Sequence, residues 1–114
     1  MKLLASIFSI GIVLSVPVQA ASVGNCLYPK TRMTANGYQQ QRPVFIYASP
    51  VPSADKQALS RMAAFMVTAV AKGGWVQLST VPDYSQPDPD AGAGRIIGWA
   101  HAKDFDQQAL RNCT

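Results

Sequence analysis

Glycine stands immediately before tryptophan twice in this chain, at Gly74-Trp75 and at Gly98-Trp99, each time within a run of β-type composition. A residue without a Cβ beside the largest side chain lets backbone and ring come close at a strand edge, which suits short, bent strands. The first pair lies in Lys72-Gly73-Gly74-Trp75-Val76-Gln77-Leu78 and the second in Gly94-Arg95-Ile96-Ile97-Gly98-Trp99-Ala100-His101. Ahead of the first, residues 64–71 alternate with period two. Phe65, Val67 and Ala69 fall on one face and Met66, Thr68 and Val70 on the other, as in a strand covered on both sides. A turn at Gly73-Gly74 and a further strand follow. The expected fold class is therefore all-β, in the form of a small barrel.

The rest of the chain supplies the connections. Residues 21–42 are polar and turn-rich, with Asn36-Gly37 as the hairpin signal and short strands flanking it. Pro43 introduces a strand over residues 44–48. Ser53 is suited to cap a helix, Asp55 suits a first turn, and Ala54, Ala58 and Met62 recur at helical spacing, so a short helix is expected over residues 54–62, filling the first long loop. Between Val81 and Gly94, three prolines and repeated aspartates exclude regular pairing and predict an extended hairpin loop carrying Tyr84. Such a loop is either a binding element on a rigid scaffold or an insertion without function.

The order Phe45-Ile46-Tyr47, then Ser49-Pro50-Val51-Pro52, then two Gly-Trp strands closed by a short turn, resembles the bacterial SH3-like (SH3b) domains. The likeness runs from about Pro43 to Phe105. It implies a small SH3-like barrel over residues 43–114 preceded by an N-terminal extension, residues 21–42. It also implies a binding surface between the first loop and the Gly-Trp strands. Tyr47, Trp75, Trp99 and His101 would line that surface, and Tyr84 would stand on the enlarged loop beside it. Each of these rings has an alternative reading as core packing, Trp99 above all, whereas Trp75 follows two glycines at a strand start and reads as more open.

Residues 1–20 read as a secretory signal: Lys2, a short apolar run from Leu3 to Val16, and the small-x-small ending Val18-Gln19-Ala20. The run is shorter than the roughly 20 apolar residues of a membrane span. Removing 20 of the 114 residues leaves 94, the size of one domain. Cys26 and Cys113 are the only cysteines, and export permits a disulfide between them. It would close a loop of 113 − 26 = 87 residues. Two free thiols or a redox pair are the alternatives, but no Cys-x-x-Cys is present.

The formal charge is +4, or +3 once Lys2 is removed, and the remaining cations are scattered, so no stripe tracks a phosphate backbone and nucleic acid is not an expected partner. One histidine, no glutamate and no nucleophile-elbow serine leave neither a catalytic triad nor a zinc set. Asp88-Pro89-Asp90-Ala91-Gly92 lacks the spacing and terminal glutamate of a calcium loop, and the Gly-Ala-Gly at residue 92 leads into a strand where a dinucleotide fingerprint needs a helix. No enzyme activity, metal or cofactor is expected. The functional expectation is a periplasmic or secreted binding module for an envelope component, a protein or a peptidoglycan peptide, without stable membrane insertion after cleavage. The alternative is an inhibitor or immunity protein whose enlarged loop blocks a toxin or a cell-wall hydrolase.

Overall fold

The computed structural model describes residues 21–108 and Cys113; the expected signal segment lies outside the described residues. Its strands are β1 (Cys26–Pro29), β2 (Thr31–Thr34), β3 (Gly37–Gln40), β4 (Phe45–Tyr47), β5 (Lys56–Ala58), β6 (Phe65–Ala71), β7 (Trp75–Thr80), β8 (Ile96–His101) and β9 (Phe105–Gln107), with one 3-10 turn, Ala102–Asp104, between the last two. The fold class is all-β. Seven strands form one antiparallel sheet in the order β5-β4-β8-β7-β6-β1-β9, and β2 with β3 makes a separate two-stranded ribbon. Among the described residues the end strands β5 and β9 do not pair with each other, so the hydrogen bonding describes an open sheet.

The central meander β6-β7-β8 follows from alternation. Val67 faces Leu78, and Leu78 faces Gly98, so Phe65, Val67, Val76, Leu78 and Ala100 come together with Leu27, Val44 and Phe105 in one core. Burying the valine, leucine and phenylalanine side chains among these contributes about 1.5–3 kcal/mol each. A bulge between Val67 and Ala69 breaks the period-two pattern, and Thr68 there donates to the Gln77 carbonyl and side-chain oxygen at 3.3 and 3.1 Å. Past the bulge Val70 is half exposed, so β6 is covered on both faces only in its first half.

Residues 54–62 do not form the expected helix. They supply β5, paired with β4 as Tyr47↔Lys56, Ile46↔Gln57 and Phe45↔Ala58, and the pairing continues through Ala48 N to Asp55 O and Leu59 N to Val44 O. A helix of that length is marginal without a packed face, whereas the unfilled edge of β4 offers this segment a ladder of backbone bonds. Leu59 then turns toward the core.

Cys26 and Cys113 are joined, both nearly buried, with Cα atoms 5.5 Å apart. The bond fastens β1, an interior strand between β6 and β9, to the chain beyond β9. The β2-β3 ribbon turns on Ala35 and Asn36, one position before the Asn36-Gly37 centre that the sequence suggests. Among the described residues only glycines take positive φ, and Gly37, at +100°, does so as the first residue of β3.

Candidate functional site

Trp75 faces His101, and Gln77 faces Trp99, across β7 and β8, while Trp99 also faces Tyr47 of β4. The intervening residues Val76, Leu78 and Ala100 belong to the core, so these rings occupy the opposite face of the sheet. Three of them touch. The Tyr47 and Trp75 rings meet edge to face at 4.9 Å, Tyr47 and His101 likewise at 5.4 Å, and the Trp75 and His101 rings lie 4.1 Å apart at a 33° tilt. Such contacts add about 0.5–1.5 kcal/mol per aromatic pair beyond the area they bury.

Gly98 makes this assembly possible. At φ +135° it holds a conformation that side chains rarely adopt, and a Cβ there would fall 2.6 Å from Ile46 Cγ2 and 2.8 Å from the Tyr47 carbonyl oxygen. The close approach expected beside a Gly-Trp pair is real, but the neighbour is the β4 backbone rather than the tryptophan ring. At the other pair, the closest approach comes from Gly73, whose Cβ would stand at ordinary contact distance, 3.5 Å, from the Trp75 ring.

The burial of the two tryptophans is the reverse of the expectation. Trp75 is 5% exposed and Tyr47 8%, whereas Trp99 is only partly buried. Trp75 is covered because His101 of the adjacent β8 and Tyr47 of β4, one strand further, close over it; Trp99 lies beside the smaller Gln77. The accessible surface of the cluster is thus carried by Trp99 and His101, with Tyr47 and Trp75 beneath as support. Lys56 extends this surface: its Nζ stands 4.6 Å from the Phe45 ring centroid and 5.6 Å from that of Tyr47. Phe45 and Lys56 were not among the sequence candidates. Phe45 was legible as the residue two before Tyr47 on one strand face, but Lys56 reaches the cluster only through the β4-β5 pairing. A groove of about 440 Å³ runs between the β4-β5 hairpin and β8, lined by Ile46, Ala58, Leu59 and Ile97, with Asp55, Lys56 and Arg61 as its charged residues.

Tyr84 belongs to a different region. It follows the end of β7, whereas Trp75 opens that strand, a separation of roughly 16 Å along the strand axis. Its side chain is 73% exposed. The loop that carries it is built from turns: Asp83 N donates to Pro89 O, Gln86 N to Asp83 O, Ala91 N to Asp88 O and Ala93 N to Asp90 O. Thr80 closes its base, donating its hydroxyl to Gly92 O and accepting from Arg95 N. The Ser85 hydroxyl, at 2.6 Å, and then the Ser85 N–H, at 3.0 Å, donate to Asp83 Oδ1 and hold that carboxyl below the ordinary aspartate range. Among the described residues no three of His, Cys, Asp or Glu stand close enough to hold a metal ion, and no helix is long and apolar enough to cross a membrane.

Comparison with protein-family models, with curated proteins and with solved structures returns no match for this chain.

Proposed function

We propose that the chain is an exported SH3-like binding module that recognises a cell-envelope component, a protein or a peptidoglycan peptide, and is not an enzyme. The observation that carries this reading is the contact of Tyr47, Trp75 and His101 on one sheet face, with Trp99 beside them and Lys56 over Tyr47. Rings locked by mutual contact present a surface at little cost in side-chain freedom, and a neighbouring apolar groove that carries Asp55, Lys56 and Arg61 suits a ligand that is part apolar and part polar. The SH3-like reading is supported by the meander β6-β7-β8, followed by a 3-10 turn and a last strand that returns to the far side of the sheet. Export is supported by the residues 1–20 pattern and by the disulfide, a bond that persists in oxidising compartments. The test is retention of the oxidised protein on purified peptidoglycan sacculi and on immobilised envelope proteins. Trp99→Ala and His101→Ala are expected to abolish retention, and wild-type retention by both variants would refute the reading.

The turn-built loop after β7 favours a second reading, an inhibitor or immunity protein that presents Tyr84 to a hydrolase or toxin. Under it, Tyr84→Ala would weaken binding by about 2 kcal/mol or more while Trp99→Ala would leave it unchanged.

A further inference from the structure

The β2-β3 ribbon lies outside the large sheet, and as a two-stranded ribbon it leaves both outer edges unpaired among the described residues, of which the β3 edge borders a groove. Gln41 N donates to Lys30 O at 2.7 Å, so residues 30 and 41 form a hydrogen-bonded pair, and by alternation Arg32 with Gln39 and Thr34 with Gly37 do the same. The backbone N–H and C=O groups of Tyr38 and Gln40 therefore point away from β2. Among the described residues no backbone or side-chain group bonds to them. Tyr38 and Gln40 both line a groove of about 450 Å³ between β3 and residues Leu59, Ser60 and Met62.

The far wall and the root of this groove are held in place. Gln40 Nε2 donates to Leu59 O at 2.7 Å, Gln40 Oε1 accepts from Val44 N, and Lys30 N donates to Asp104 O. The charged residues lining the groove are Arg32, which stands opposite Gln39, and Arg42, 62% exposed although its Nη2 lies 3.5 Å from Asp104 Oδ1. Among the described residues no carboxylate lines it. Tyr38, Leu59 and Met62 supply the apolar surface.

We propose that the outer edge of β3 is a docking edge for an extended, acidic segment of a partner protein, which adds to the ribbon as a third strand. Main-chain bonds to Tyr38 and Gln40 would hold it, alternate side chains would rest on Tyr38, Leu59 and Met62, and its carboxylates would meet Arg32 and Arg42. A second copy of this chain is a poorer occupant, because edge-to-edge pairing would bring two cationic grooves together.

The probe is a short capped peptide alternating glutamate and valine, with a lysine-valine counterpart, added to the oxidised full chain and followed by amide exchange and chemical-shift mapping. The acidic peptide is expected to bind saturably and to slow exchange at Tyr38 and Gln40, while the lysine peptide does not bind. N-methylating the peptide at alternate amides should abolish binding in one register and spare it in the other. Arg32→Glu, on an exposed side chain, should weaken binding about two- to fivefold, the scale of losing an exposed ion pair, without changing the melting temperature. The proposal is overturned if neither peptide binds, if both bind equally, or if binding leaves the Tyr38 and Gln40 amides unprotected. It is equally overturned if those amides are protected by concentration-dependent self-association alone, or if the groove responds only to anionic lipid vesicles.

Discussion

Replacing Gly98 with alanine isolates the contact on which the ring cluster depends. A Cβ at φ +135° lies in a region open almost solely to glycine, at a cost of about 1–3 kcal/mol. The same Cβ would sit 2.6 Å from Ile46 Cγ2 and 2.8 Å from the Tyr47 carbonyl oxygen. Ile46 can rotate its methyl group aside, but the carbonyl moves only if β4 moves, and overpacking of this kind costs a further 1–3 kcal/mol or so. The sum, about 2–6 kcal/mol, is a large part of the stability of a domain this size and corresponds to a melting temperature at least about 8 °C lower. Because β4 carries Tyr47, its displacement from β8 also loosens the contacts of that ring with Trp75 and His101. Thermal and urea unfolding of the oxidised protein, followed by far-ultraviolet circular dichroism, measure the first effect, and the near-ultraviolet aromatic signal the second. Gly92→Ala is the control: no positive φ holds Gly92, and nothing lies within 4 Å of a Cβ built there. If Gly98→Ala melts with the wild type while keeping its aromatic signal, the close approach of β4 and β8 is not what shapes the cluster.

The Cys26 to Cys113 bond closes 87 residues, and the chain-entropy model gives about 4–5 kcal/mol for a loop of that length, an upper figure; the double serine variant is expected to stay folded but unfold at markedly lower urea, and equal midpoints would contradict it. Trp75→Ala should cost about 3–5 kcal/mol, as for a buried aromatic, and Trp99→Ala clearly less; the reverse ranking in unfolding experiments would refute the deeper burial of Trp75. Asp83 has its folded-state pKa below the unfolded value, so its contribution to the loop is present above the ordinary carboxylate range and is lost as pH falls through the folded value. The Ser85 amide signal should therefore titrate below the ordinary aspartate range, and Asp83→Asn should remove that titration; a signal flat with pH argues against the hydrogen bond.

Composition and local chemistry were enough for the all-β class, for β6 and β7, and for the pairing of the two cysteines, because each rests on short-range rules: period-two alternation, paired glycines at a turn, and a count of two. The rings Tyr47, Trp75 and His101 were legible as aromatics at strand positions. Their mutual contact was not, since it needs the register Trp75↔His101 and Tyr47↔Trp99, and register depends on pairing between strands far apart in the chain. The reversal between Trp75 and Trp99 has the same origin, because what covers a ring is decided by its cross-strand neighbours.

Residues 54–62 show the limit most plainly. Their own spacing favours a helix, yet the open edge of β4 offers this segment backbone partners, and a segment too short to be a stable helix alone takes the partner it is given. β1 was legible only as one of several short strands around a turn; its place between β6 and β9 comes from long-range pairing. Even the close backbone approach implied by glycine before tryptophan held at Gly98 with a different neighbour from the one the sequence suggested. A missing Cβ announces that something must come near, and the tertiary fold decides that it is the carbonyl of Tyr47.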